Sequence, residues 1–127
     1  MSGWSEAELA GIGQADELSI ASYRRDGTLR PYVTIWVVRV GGDIFVRSAY
    51  GAANPWFARA LRSGRGRIRA GGVEKNVEFG RPSASDQAGI DEAYHRKYDR
   101  YGQRIVSGVV GESVYDVTLS LIPVEEF

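Results

Sequence analysis

The chemistry available to this 127-residue chain lies mainly in its arginines. Ten fall between positions 24 and 69 (24, 25, 30, 39, 47, 59, 62, 65, 67 and 69), against only two acids, Asp26 and Asp43. Over the full length, sixteen basic residues balance sixteen acidic ones, so the acids gather near both ends. A local positive field of this kind suits a small anionic ligand. The neutral total argues against a general nucleic-acid binder. Arg47 ends an apolar stretch, and burying a guanidinium unpaired is costly. It must therefore reach a phosphate, which its planar fork can grip with two donors, or else a cross-strand carboxylate or water. Ser48 and Gly51 follow in a small loop, as part of an anion site or as an ordinary loop. Arg24, Arg25 and Arg30 flank Asp26-Gly27-Thr28, as an anion cluster or as a plain charged hairpin tip.

Other chemistry is sparse. There is no cysteine, which removes disulfides and thiolate metal sites and is compatible with a cytoplasmic location. The single histidine, His95, excludes a His-rich metal site. No Gly-x-Ser-x-Gly elbow or phosphate-binding P-loop is present, and "GIGQAD" at Gly11 to Asp16 lacks the preceding strand and third glycine of a dinucleotide fingerprint. No apolar run approaches the roughly 18 residues that span a bilayer, and no signal peptide is visible at Met1 to Glu6. If the protein is an enzyme, a cofactor carries the hard step.

The elements that must position these residues form one domain over 1–127. Ser5 and Glu8 have capping-box spacing, which predicts a short helix over Glu6 to Ile12 within an N-terminal helical segment, 1–16. Strands are predicted at Glu17 to Arg24, Tyr32 to Val40, Ile44 to Ser48, Arg67 to Ala70, Asn76 to Phe79 and Val114 to Val124. Tyr32 to Val40 is apolar on both faces, so both sides must be covered, one by the barrel interior and the other by a helix or a second subunit. Asn54-Pro55 opens a helix over 54–63. A longer one over 86–102 carries Ile90, Tyr94, Tyr98 and Tyr101 on one face. Six strands joined mostly as hairpins, with flanking helices, predict an antiparallel barrel that hides its strand edges.

The order of features adds a resemblance. "YRRDGTLRPYV" is followed by a buried strand, a Gly-Asp turn, a return strand, Ser48-x-x-Gly51, Asn54-Pro55-Trp56-Phe57 and Leu61. From about Glu17 to Val124 this resembles the deazaflavin-dependent nitroreductases. These sit in the flavin-binding split-barrel superfamily, with pyridoxamine-phosphate oxidase-like proteins. More closely, the chain resembles a short split-barrel group known only as a domain of unknown function. The resemblance implies a six-stranded antiparallel split barrel of the FMN-binding kind, a homodimer, and a deazaflavin or FMN cofactor serving an oxidoreductase. Two alternatives are a non-catalytic binder of flavin or another small anion, and a barrel without a cofactor. Position by position, Arg24, Arg25 and Arg30 match the turn that holds the cofactor's phosphate or acidic tail, and Ser48 and Gly51 match the loop beside it. Thr34 and Trp36 match the strand along the ring, and Trp56 the helix tryptophan next to it. Asp26 and Ala49 depart from the pattern: the first puts a carboxylate in the basic turn, the second stands where a lysine is common.

Overall fold

The computed structural model describes residues 3–125; Met1 and Ser2, the start of the segment expected over 1–16, lie outside them. The described chain forms seven strands: β1 (Leu18–Ser22), β2 (Val33–Ile35), β3 (Val38–Val40), β4 (Asp43–Arg47), β5 (Arg65–Ala70), β6 (Val73–Gly80) and β7 (Thr118–Val124). They make one antiparallel sheet in the order β2-β1-β5-β6-β7-β4-β3. The helices are α1 (Glu6–Gln14), α2 (Pro55–Ser63), α3 (Gln87–Tyr98) and the single turn α4 (Gln103–Val106).

The two edges of this sheet are halves of one chain segment. β2 pairs with β1 and β3 pairs with β4, yet only Trp36 and Val37 separate them. Three residues of extended chain reach about 11 Å at most. The sheet therefore has to curl until its edges meet, and the result is a split barrel. Here the expected single strand Tyr32 to Val40 is corrected, and six strands become seven. The reason is visible at Val37, whose backbone leaves the ladder and finds partners on α3. Its N–H donates to the Tyr98 hydroxyl (3.1 Å) and its carbonyl accepts from Lys97 Nζ (2.8 Å). Buried backbone groups need partners wherever they are, and a hydroxyl plus an ammonium replace the missing strand neighbour.

Two apolar clusters lie on the two sides of the sheet. Ile44 and Val46 of β4 point into the barrel with Leu18, Ile68, Val77 and Leu119. Phe45 between them points outward, with Val38, to Ile90, Tyr94 and Tyr98 of α3. The period-2 alternation of β4 therefore serves both cores, and the covered outer face is a helix of the same chain.

Local signals set the helix ends. Ser5 Oγ accepts from Glu8 N–H (3.1 Å) and Glu8 Oε1 accepts from Ser5 N–H (2.9 Å), a complete capping box. Pro55 occupies the first turn of α2, although Asn54 makes no side-chain cap bond, and Gly64 ends it at φ +76°. α3 stops at Tyr98, and Asp99–Tyr101 continues as a 3₁₀ turn. Tyr101 consequently leaves the tyrosine face; its hydroxyl donates to Asp16 Oδ2 (2.5 Å) while Tyr94 and Tyr98 are buried. The expected last strand is also shorter, because Glu112–Val117 winds as 3₁₀ helix before β7. Among the described residues no helix is long and apolar enough to cross a membrane.

Candidate functional site

The connection from β1 to β2 is a tight hairpin tip. Tyr23 bridges Leu29, Arg24 N–H donates to Thr28 O (2.7 Å), and Gly27 takes the positive φ of +89° that the tip needs. Arg24, Arg25 and Arg30 extend from it. α2 packs beside this hairpin with Trp56, Phe57 and Ala60 buried. Arg59 and Arg62, three residues apart and therefore neighbours on one face, lie on its exposed side. Together these side chains, with Tyr23, Ser63 and Arg65, line a basic cleft of about 640 Å³.

Charge in this cleft is poorly compensated. Among the described residues Arg24, Arg25, Arg30, Arg59 and Arg62 form no ion pair. Partial burial, with the like charges of Arg59, Arg24 and Arg62, pushes the Arg30 guanidinium down from its ordinary value. Asp26 is the one acid in the cleft lining, and it is folded back on its own turn. Its Oδ1 accepts from Thr28 Oγ1 (2.6 Å) and Thr28 N–H (3.0 Å), and these bonds hold its carboxyl below the usual range, with a smaller contribution from Arg24.

A second cleft, of about 420 Å³, is apolar. Val33, Thr34, Ile35 and Trp36 make one wall, Trp56 and Asn54 another, and Tyr50, Ile105 and Val109 the rim. Trp36 is held flat by stacking on Tyr98, with centroids 3.9 Å apart and planes 3° from parallel. Trp56 is 6% exposed and belongs to the barrel core while still edging the cleft, so the packing and lining roles coincide. Between the two clefts lies a small pocket of about 10 Å³ past Ile20, Ser22 and Pro31. It shares Arg30 and Arg59 with the basic cleft and Val33 and Trp56 with the apolar one. The two clefts are therefore neighbours, one aromatic and the other guanidinium-lined.

The structure thus brings Arg24, Arg25 and Arg30 together in one cleft, and Thr34, Trp36 and Trp56 in the other. Arg47 and Ser48 stand apart from the basic one. Arg47 borders the apolar cleft but is 3% exposed, and all its donors end on protein acceptors. Nε donates to Thr118 Oγ1 (2.9 Å), Nη1 to Asp91 Oδ1 (2.5 Å) and Val109 O (2.8 Å), and Nη2 to Gln87 Oε1 (2.7 Å) and Gln87 O (3.5 Å). Burial alone would raise the Asp91 carboxyl. Arg47, the Tyr115 hydroxyl and the Gly111 N–H overcome that and hold it low. Ser48 is buried, and its hydroxyl donates to Gly51 O (2.7 Å), closing the loop that Gly51 turns at φ +84°. Arg59, Arg62 and Arg65 were not singled out from the sequence. Their i, i+3, i+6 spacing in "RALRSGR" carried a signal, since it puts guanidinium groups beside one another along a helix and its exit.

Solved structures with related folds differ widely in what they bind. A pyridoxamine 5′-phosphate oxidase-like protein from Listeria innocua is 15% identical, with TM-score 0.62, over 91% of this chain and 89% of that one. HutZ, the heme storage protein from Vibrio cholerae, is 12% identical, with TM-score 0.62, over 98% and 92%. An FAD-binding protein from Mesorhizobium loti is 12% identical, with TM-score 0.56, over 96% and 91%. At such identities the likeness establishes the split-barrel fold alone. No curated protein matches the chain. The profile of one sequence family does match, across residues 8–121, and on that match the chain belongs to the uncharacterized proteins conserved in bacteria designated DUF2255.

Proposed function

We propose that this protein binds a flavin-type cofactor, flavin mononucleotide or a deazaflavin, across the two neighbouring clefts and serves as an oxidoreductase on a small substrate. The observation that carries this reading is the adjacency of the two clefts: an apolar one lies beside a basic one, in which Arg24, Arg25, Arg30, Arg59 and Arg62 form no ion pair among the described residues. That is the polarity of a fused-ring cofactor with an anionic tail. Arg30 and Arg59 stand where ring and tail would join, and Arg24, Arg25 and Arg62 take the tail. Thr34 and Trp36 support one face of the ring, and Trp56 closes its inner edge against water. Arg47 and Ser48 hold the wall and the loop behind it. When bound, the cofactor supplies hydride transfer; the chain's own part is to bind, orient and desolvate. The names of the pyridoxamine-oxidase-like and FAD-binding neighbours support this class of ligand. Two copies per assembly and a cytoplasmic location belong to the same reading.

One observation favours a non-catalytic binder as the second reading. The apolar cleft is lined by no Asp, Glu or His, so no strong proton-transfer group faces the ring position. Both readings are tested by thermal melts with flavin mononucleotide, a deazaflavin and riboflavin. A ligand at a hundred times its dissociation constant stabilises by about 2.7 kcal/mol. A rise with either phosphorylated cofactor, and a smaller one with riboflavin, is expected. No rise with any of them sinks both readings. Oxidation of the reduced cofactor in the presence of nitro or quinone acceptors then separates the enzyme from the binder.

A further inference from the structure

Lys97 sits on α3, beside the break between β2 and β3. Its Nζ donates to Val37 O at 2.8 Å, lies 5.2 Å from the centre of the Tyr98 ring, and forms no ion pair among the described residues. The acids around it are already paired with other cations, Arg39 and Arg96 each through a single nitrogen. Asp16, after α1, is taken by Arg100 Nη2 (2.6 Å) and the Tyr101 hydroxyl. Arg39 on β3 pairs with Glu6 of α1 (3.0 Å), and Arg96 on α3 pairs with Glu92. The amine is half-buried, and that burial pushes its pKa down to about 8, against the opposing pull of Asp16. Beside it opens a groove of about 310 Å³ between α1, β3 and α3, with Leu9, Val38 and Ala93 along its length and Arg39 and Arg96 among its walls.

We propose that Lys97 is an acyl-acceptor site, modified by small acyl phosphates whose phosphate is drawn into the groove by Arg39 and Arg96. The unprotonated Nζ attacks the acyl carbon. An N–C bond forms, the bond from acyl carbon to phosphate oxygen breaks, inorganic phosphate leaves, and the proton displaced from nitrogen passes to water. No oxidant or reductant is needed. The product amide keeps one N–H, enough for Val37 O, while the cation beside Tyr98 is lost. The chain carries its own control. Its only other lysine, Lys75, is bound to the carboxylate of Glu8 at 2.9 Å.

The test is incubation of the folded protein with acetyl phosphate and peptide mapping by mass spectrometry. Lys97 is expected to acetylate about tenfold faster than Lys75 near pH 8, where about half of it is unprotonated. Its rate should level off as pH rises past 8. The preference should vanish in denaturant. Arg96→Ala should slow acetyl phosphate but not an uncharged acetylating ester. Equal rates at the two lysines, or a preference that survives unfolding, would overturn the site. Lys97 selectivity with the ester but not with acetyl phosphate would overturn the acyl-phosphate assignment. None of these readouts depends on cofactor binding, so failure here and failure of the proposed function are separable.

Discussion

The guanidinium of Arg47, at the end of β4, meets the carboxylate of Asp91 in the middle of α3 at 2.5 Å, with the arginine side chain fully shielded from solvent. Residues 44 positions apart are thereby tied across the second core, between the sheet and the helix that covers it. Removing one partner of such a pair leaves a charge buried without compensation, which costs about 3 kcal/mol or more. Asp91→Ala is therefore expected to lower the melting temperature by about 10 °C, as read by circular dichroism. A shift within error would mean that Arg47 finds another acceptor.

The same pair sets an acid limit. Asp91 is held below the ordinary carboxylate range in the folded chain, so its folded pKa lies under its unfolded one. Its contribution is complete above the unfolded value, near 4, and is lost as pH falls through the folded value. Urea midpoints of wild type and Asp91→Asn should therefore differ at pH 7 and converge towards pH 2. A constant gap across that range would contradict the assignment.

Two buried tyrosines on one helix face should respond oppositely to loss of a hydroxyl. Tyr98 accepts from Val37 N–H and donates to Asp16 O (2.7 Å), so Tyr98→Phe strands a buried donor and should cost about 1–3 kcal/mol. The Tyr94 hydroxyl is wholly buried and makes no hydrogen bond of good geometry among the described residues, only a weak approach to the Arg47 backbone N–H, and burial raises its pKa. Tyr94→Phe should be neutral or mildly stabilising. Chemical denaturation of the two variants side by side decides it, and similar losses would disprove the contrast.

In the basic cleft, ligand binding and stability should part company. Arg30→Ala and Arg59→Ala should each weaken flavin mononucleotide binding roughly tenfold and flatten its salt dependence, as expected for charge-assisted bonds of about 1.5 kcal/mol. The unliganded protein should melt at the same temperature or slightly higher, because a like-charge repulsion is relieved. Fluorescence titration at two ionic strengths, with melts of the apoprotein, checks both halves. A stability loss without an affinity loss would assign these arginines to the fold.

Gly51 should be sensitive for a purely conformational reason. Nothing lies within 4 Å of where its Cβ would be, yet its φ is +84°. Gly51→Ala should cost about 1 kcal/mol through the backbone alone, measurable as a lower urea midpoint.

Patterns that depend on near neighbours were legible in the amino-acid sequence. The Ser5–Glu8 capping box, the Gly27 turn, the start of α2 at Pro55 and the apolar run that Arg47 ends all follow from spacings of a few residues. So do the antiparallel barrel class and the arginines of the 24–30 tip. Long-range pairing decided the rest. Tyr32 to Val40 reads as one strand, because nothing within it announces that Tyr98 and Lys97, some sixty residues on, will satisfy Val37 and divide it. A guanidinium at the end of an apolar strand has the same local signature whether it awaits a phosphate or a carboxylate. The chain required only that Arg47 find an acceptor. The tertiary structure supplied Asp91, Gln87, Thr118 and Val109, from elements that only folding brings together. It also assembled Arg59 and Arg62 with Arg24 and Arg30, in a basic cleft that Arg47 does not line. A charge must be compensated wherever it is buried, but which group compensates it is a property of the packed chain.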